Sequence, residues 1–216
     1  AGLNTPVWAI LAGETGYGVT WHALSEGIDE GAIYAERAFE ISDDDTALTL
    51  NTKCFEAGIA SFSELIEKIE SGSLEGRPQS FGERLYFGKT KRPEAAATLD
   101  FRQSVSQIGR LQRALSFGQR YANPLCLPKI RTASGAYAVT DLEIDTTSVA
   151  ARPGTVIDVD KSGATLAAAD GSVRIKALRD SAGEAVDPSA VLAKGEVIRP
   201  LDADESIRLT ELTHEL

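Results

Sequence analysis

The chain has 216 residues, of which 43% are hydrophobic and 25% charged, and a net charge of −10. That length suits one large domain or two small ones. The acidic balance argues against a nucleic-acid partner, because nonspecific binding rests on Lys and Arg displacing counterions from phosphates. No apolar run approaches the ~20 residues of a membrane helix.

The first apolar stretch, LNTPVWAILAG, is interrupted at Asn4, Thr5 and Pro6 and has no basic residues before it, so it makes a poor signal peptide. Within it VWAILA reads as a helix turn that Gly13 stops. GYGVTWHAL reads as a strand, SEGIDEGA as a loop and IYAERAFEI as a second strand.

The clearest helix runs through SDDDTALTLNTKCFEAGIASFSELIEKIESG. Ser42 or one of the following aspartates is expected to cap it, with acidic residues in its first turn where the helix dipole favours them. Leu48, Leu50, Phe55, Ile59, Phe62, Leu65, Ile66 and Ile69 recur close to helical spacing, and Gly72 ends the run. A long helix after a strand pair suggests the closing part of an α/β sheet.

Residues 72–99 are rich in Gly, Pro, Arg and Lys and read as a linker passing over the first domain. LDFRQSVSQIGRLQRAL then gives a short amphipathic helix with Val105, Ile108, Leu111 and Leu115 on one face. From Pro124 the pattern is short strands and tight turns. CLPKIR and YAVTDLEI form a hairpin, and GTVIDVD, TLAAAD and VRIKALRD form a meander. Many short strands with Gly-containing turns suggest a small barrel or sandwich. The C-terminal LDADESIRLTELTHEL spaces its apolar residues roughly as a helix.

Cys54 and Cys126 lie far apart in no metal-like pattern and read as reduced, buried thiols of a cytoplasmic protein. Two histidines, His22 and His214, are too few for an all-protein zinc site. Methionine is absent, including at position 1, which reads as a fragment or a processed product.

The chemistry-bearing stretch is GVTWHALSEGIDEGAIY, Gly18 to Tyr34. A histidine in an apolar strand is usually a packed core residue, and an aspartate beside a glycine is usually a turn former. The chemical alternative is a strand end that presents His22 and a glycine-punctuated loop whose backbone approaches a flat heterocycle such as a pterin. Asp29 would then be an acid–base or water-holding group.

These residues resemble the G-V-T-x-H … D-x-G-x-I signature of folate-dependent formyltransferases, which move a formyl group from 10-formyltetrahydrofolate to an amine. AGLNTPVWAI resembles the segment just before that signature. LDFRQSVSQIGRLQRAL and RPGTVIDVDKSGATLAAADGSVRIKAL resemble the C-terminal domain of methionyl-tRNA formyltransferases. VWAI, EGIDEGAI and NTKCFEAG look closer to the formyltransferase domains that begin some peptide synthetases, where the acceptor is an aminoacyl group on a carrier protein.

The resemblance implies an α/β plus β chain. Residues 1–87 would be the C-terminal half of a Rossmann-like catalytic domain and 88–99 a linker. Residues 100–208 would be a small OB-like barrel and 209–216 a tail. It places the family's loop aspartate on Asp29 and its strand histidine on His22, hydrogen-bonded to that aspartate. Ser25, Glu26, Gly27 and Ile28 would line the pterin site with Asp29. The family's Asn-x-His, which stabilises the tetrahedral oxyanion, would precede Ala1. The chain alone is therefore expected to turn over poorly and to leave a sheet edge bare.

Other acceptors fit the same resemblance: initiator methionyl-tRNA, water, or an amino sugar. A non-catalytic module built on the same fold is the remaining alternative. From Ala151 to Leu216 eight basic residues face twelve acidic ones, the wrong balance for gripping an RNA backbone.

Overall fold

A computed structural model describes residues 2–80, 82, 85–118 and 120–214. The chain forms two compact units, Ala1–Lys89 and Thr90–Leu216.

The first unit opens with helix α1 (Thr5–Ala12), which starts at Asn4 with Pro6 in its first turn. It buries Val7, Trp8 and Ile10. Gly13 ends it in the left-handed conformation, φ 73°, its N–H reaching the carbonyls of Ala9 and Ile10. This is the stop the sequence implied. Strands β1 (Gly16–His22) and β2 (Ile33–Glu40) then pair antiparallel, Gly16 opposite Glu40 and Trp21 opposite Ala35.

Helix α2 (Ala47–Glu70) differs from expectation at both its start and its face. Its cap is Thr46, not Ser42 or an aspartate. The Thr46 hydroxyl accepts from the Thr49 N–H, the Thr49 hydroxyl accepts from the Thr46 N–H, and no acidic residue occupies the first turn. Asp45 is instead buried just outside the helix. It accepts from the Ser42 N–H, the Thr49 hydroxyl and Lys53 Nζ, so the acidic run closes a loop before the helix.

The second difference is larger. Leu50 is fully buried, but Phe55 is 67% exposed and Ile59 71%, and Phe62, Ile66 and Ile69 are exposed as well. The helix packs on the hairpin through Ala57 and Ser61, and the Ser61 hydroxyl accepts from Trp21 Nε1 at 2.9 Å. Periodicity identifies an apolar face; it does not say what covers it.

The segment around Arg77 runs back along this unit. Arg77 and Ile33 exchange backbone hydrogen bonds at 2.8 and 2.7 Å, and the Arg77 guanidinium pairs with Glu36. Gly2 bridges to Phe87 in parallel, and the Phe87 ring stacks on Trp8 with centroids 5.3 Å apart.

The second unit holds helix α3 (Val105–Ala114), capped by Ser104 and Gln107, with Val105, Ile108 and Leu115 buried on one face as the spacing implied. Strands β3 (Lys129–Thr132), β4 (Gly135–Asp145), β5 (Val156–Asp160), β6 (Gly163–Ala167) and β7 (Ser172–Arg179) form an antiparallel sheet in the order β3-β4-β7-β6-β5. The short strand β8 (Ala185–Val186) joins β7. Both the hairpin and the meander read from the sequence are present. Irregular register in β4 around Asp141 and in β5 at Val156/Asp158 curls the sheet around its core. That core includes Ile108, Ile130, Val139, Val156, Leu166, Ile175 and Leu178.

Two short helices complete the unit, α4 (Pro188–Val191) and α5 (Ala203–His214). Helix α5 runs through the expected boundary at 208/209, and Glu215 and Leu216 lie outside the described residues. Its Glu205 pairs with Arg131 at 2.7 Å, and its Thr210 hydroxyl accepts from the Ala95 N–H. Ala95 begins a left-handed turn of three alanines, Ala95–Ala97, with φ 49°, 48° and 62°. Lys129 Nζ bonds the Ala96 carbonyl, and the Thr98 hydroxyl bonds that of Ala95.

Candidate functional site

His22 closes β1 where the pairing register breaks. Trp21 faces Ala35, but His22 faces Ile33, leaving Tyr34 as the extra residue of a bulge in β2. A bulge bends its strand and re-aims the neighbouring side chains. Just beyond it the Ala23 N–H bonds the Ala32 carbonyl at 2.9 Å and closes the neck of a loop, residues 24–31.

Packing at the neck depends on Gly31. A Cβ there would sit 1.9 Å from the Ala23 carbonyl oxygen, so no other residue fits without moving the backbone. A Cβ at Gly27 meets the Glu30 carboxylate, the movable end of a side chain, so the steric requirement lies at Gly31. Ser25 shapes the loop from within, its hydroxyl donating to the Gly27 carbonyl at 3.1 Å. Ser25, Glu26 and Ile28 are exposed, and Gly27 is half-buried.

Asp29 takes the left-handed conformation, φ 55°, one of five described non-glycine residues with positive φ. Aspartate tolerates this region better than most residues because its short side chain bonds locally. The turn brings Asp29 Oδ1 to 3.6 Å from His22 Nε2. That exceeds a hydrogen-bond distance, so the two side chains face each other without the direct bond expected between them. His22 Nδ1 lies 2.9 Å from the Ala23 carbonyl oxygen, which only accepts. The ring therefore carries a proton at Nδ1 and turns Nε2 toward the carboxylate. The histidine is largely covered and the aspartate half exposed, so the pair sits at a solvent boundary.

Gln79 is the residue the sequence did not flag. Its side-chain amide donates to the Asp29 carbonyl at 3.1 Å and the Gly31 carbonyl at 2.6 Å, fifty residues from the first. Sequence spacing carries no sign of such a contact.

A separate apolar groove of about 590 Å³ lies along α2, lined by Trp21, Cys54, Phe55, Gly58, Ile59 and Phe62 among others. Burial pushes the Cys54 thiol up, and the same holds for Cys126. Both cysteines are free and half-buried. Among the described residues no His/Cys/Asp/Glu group could hold a metal ion, and no helix is long and apolar enough to cross a membrane.

Comparison with known proteins places the chain in a family. The formyl transferase family matches residues 1–66, and the formyl transferase C-terminal domain matches residues 93–195. The chain belongs to the formyl transferase family. A methionyl-tRNA formyltransferase of Coxiella burnetii (strain RSA 331 / Henzerling II) is 30% identical over 176 residues, covering 79% of this chain and 52% of that protein. A Burkholderia mallei methionyl-tRNA formyltransferase is 30% identical over 203 residues, covering 90% and 59%. The chain thus spans about half the length of the curated relatives it matches.

Two solved structures share the formyltransferase fold at low identity. HypX from Aquifex aeolicus, in complex with tetrahydrofolic acid, matches with TM-score 0.63 and 21% identity over 93% of this chain and 35% of its own. The sugar 3N-formyl transferase WlaRD, in the presence of dTDP and 5-N-formyl-THF, matches with TM-score 0.61 and 22% identity over 81% and 60%.

Proposed function

We propose that the chain takes part in transferring a formyl group from 10-formyltetrahydrofolate to an amine. The observation that carries this reading is the convergence of His22 and Asp29 across a loop whose neck admits only glycine. The backbone of Ser25, Glu26, Gly27 and Ile28 would hold the pterin edge. Asp29 would fix a water and take up the proton that the amine sheds as it attacks the formyl carbon, while the formyl C–N10 bond of the donor breaks and tetrahydrofolate leaves with a proton on N10. His22 supports Asp29 from the strand end. Family membership supports the reaction class.

In this reading residues 1–87 are the C-terminal part of a Rossmann-like catalytic domain and 88–99 a linker. Residues 100–208 are an OB-like barrel, 209–216 a tail, and the reaction is cytoplasmic. The acceptor is an aminoacyl group on a carrier protein. Support comes from the likeness of VWAI, EGIDEGAI and NTKCFEAG to the formyltransferase domains of peptide synthetases, and from the acidic balance of residues 151–216. The second reading, methionyl-tRNA as acceptor, is favoured by the names of the curated relatives.

Calorimetric titration of the chain with 5-formyltetrahydrofolate, a stable stand-in for the donor, tests the site. Saturable binding that Asp29→Asn weakens and Gly31→Val abolishes is the expected result. A chain that binds no folate, or binds it equally in all three forms, overturns the assignment of the loop. Formyl transfer to an aminoacyl carrier protein compared with methionyl-tRNA then separates the two acceptors.

A further inference from the structure

We propose that Gln79 is the positioning residue that holds Asp29 in register with His22. The inference rests on the reading of Asp29 given above, but its geometry stands independently.

Asp29 occupies the left-handed region at φ 55°, which L-residues other than glycine enter at a cost and keep only when their surroundings hold them there. The direction of its Cα–Cβ bond follows from that φ. An extended Asp29 would aim its carboxylate elsewhere and lose the 3.6 Å approach to His22 Nε2. Something must therefore hold the turn.

Gly31 allows the turn by bringing its Cα against the Ala23 carbonyl. It does not enforce it. Ser25, whose hydroxyl bonds the Gly27 carbonyl, acts on the part of the loop before Asp29. Gln79 supplies the constraint at the right place. One planar amide nitrogen donates to the carbonyl of Asp29 and to that of Gly31, so it brackets the backbone that follows the strained residue. An amide NH₂ has two donors, and both are used on the loop.

The holder is itself held. Arg77, two residues before Gln79, exchanges both backbone hydrogen bonds with Ile33 and pairs its guanidinium with Glu36 on β2. Gly76 fits against the Tyr34 ring and the Ala32 methyl, where a Cβ would come within 3.0–3.1 Å. Residues 76–79 thus lie beside the bulge that aims His22. The same short segment is fixed to the histidine's strand partner and to the aspartate's loop. That is how a glutamine remote in sequence sets the geometry of the pair.

The test uses the 216-residue chain and three substitutions. Gln79→Met removes both donors at similar size, Gln79→Glu replaces the donor with a second acceptor, and Gln79→Asn keeps the amide but shortens its reach. The primary readout is the intraresidue HN–Hα cross-peak of Asp29 by NMR, which is strong only at positive φ. The expected result is loss of the strong cross-peak in Gln79→Met and Gln79→Glu, with the melting temperature of the unit little changed. Folate binding should weaken about tenfold, the share of one hydrogen bond. The double variant Gln79→Met/Asp29→Asn should bind no more weakly than Asp29→Asn alone. The Gln79→Asn variant should give an intermediate cross-peak, and it serves as the readable form should Gln79→Met fail to fold. An unchanged cross-peak, or additive losses in the double variant, overturns the proposal for Gln79. If Asp29→Asn leaves folate binding intact, the reading of Asp29 fails, while the cross-peak still decides whether Gln79 holds the turn.

Discussion

At the scale of single residues, two glycines four positions apart in one loop are not equivalent. A methyl group at Gly31 meets a main-chain oxygen at 1.9 Å, whereas one at Gly27 meets the end of a flexible carboxylate. Gly31→Ala should therefore destabilise the first unit by about 1–3 kcal/mol, the usual range for forced overpacking. Gly27→Ala should stay within about 0.5 kcal/mol, as surface substitutions do. Both tryptophans, Trp8 and Trp21, lie in this unit, so urea unfolding followed by tryptophan fluorescence reads the difference directly. Equal midpoints for the two variants would count against the steric account of the neck. His22 and Asp29 were legible as a pair because a strand end and a glycine loop sit next to each other in the sequence. Gln79 was not, because hydrogen bonding across fifty residues leaves no local pattern. Which of the two glycines the neck requires was not legible either, because a glycine's necessity depends on the atom facing it.

At the scale of elements, the order of helices and strands was legible almost throughout, since period-2 and period-3.6 patterns report local geometry. The caps and the covered faces were not. Thr46 displaced the aspartates as the cap of α2 because its hydroxyl completes a reciprocal pair with Thr49. Asp45 has stronger partners in Lys53 and Ser42. The apolar residues of α2 beyond Leu50 follow a 4-3-4-3 spacing at 55, 59, 62, 66 and 69 and form an exposed ridge. Energetics should divide along the same line. Leu50→Ala is expected to cost about 2–5 kcal/mol, the range for emptying a packed leucine site. Phe55→Glu with Ile59→Glu should keep the helix, change stability by no more than about 1 kcal/mol in sum, and reduce self-association. Sedimentation and far-UV circular dichroism on the same samples check both halves of this prediction. Loss of helicity in the double variant would mean that the ridge is packed in solution.

At the scale of the whole molecule, the sheet unit carries a hydrophobic core drawn from residues between Leu99 and Ile198, while the first unit buries Val7, Trp8, Ile10 and Leu50. Its outer face carries paired charges. The Ser162 hydroxyl and backbone N–H, followed by the Arg174 guanidinium, hold the Asp160 carboxyl down at about 2. Because the folded value lies below the ordinary value of 3.8, the unfolded chain binds more protons between the two, and stability rises with pH across that window. The contribution is complete above the upper value and is lost as pH falls through the lower one. Asp160→Asn should therefore lower stability at neutral pH, leave it nearly unchanged below the folded value, and so flatten the acid limb for this unit. Hydrogen exchange of the β5–β7 amides reads this unit without interference from tryptophan signals. An acid limb as steep in the variant as in the wild type would mean that other carboxylates carry it. The hairpin and meander of short strands in the second unit follow from the sequence. The curl of the sheet does not, because it comes from register breaks around Asp141 and Asp158 that alternate residues cannot announce.

The turn at Ala95–Ala97 has a consequence for how the chain's chirality is used. Each L-alanine in left-handed backbone stores roughly 1–2 kcal/mol, because its methyl group crowds the following carbonyl. A D-alanine has its methyl on the other side and finds the same dihedral angles unstrained. At these three positions the mirror-image residue matches the backbone dihedral angles, and a semisynthetic chain carrying D-alanine at the half-buried Ala95 should gain stability without changing a single atom count.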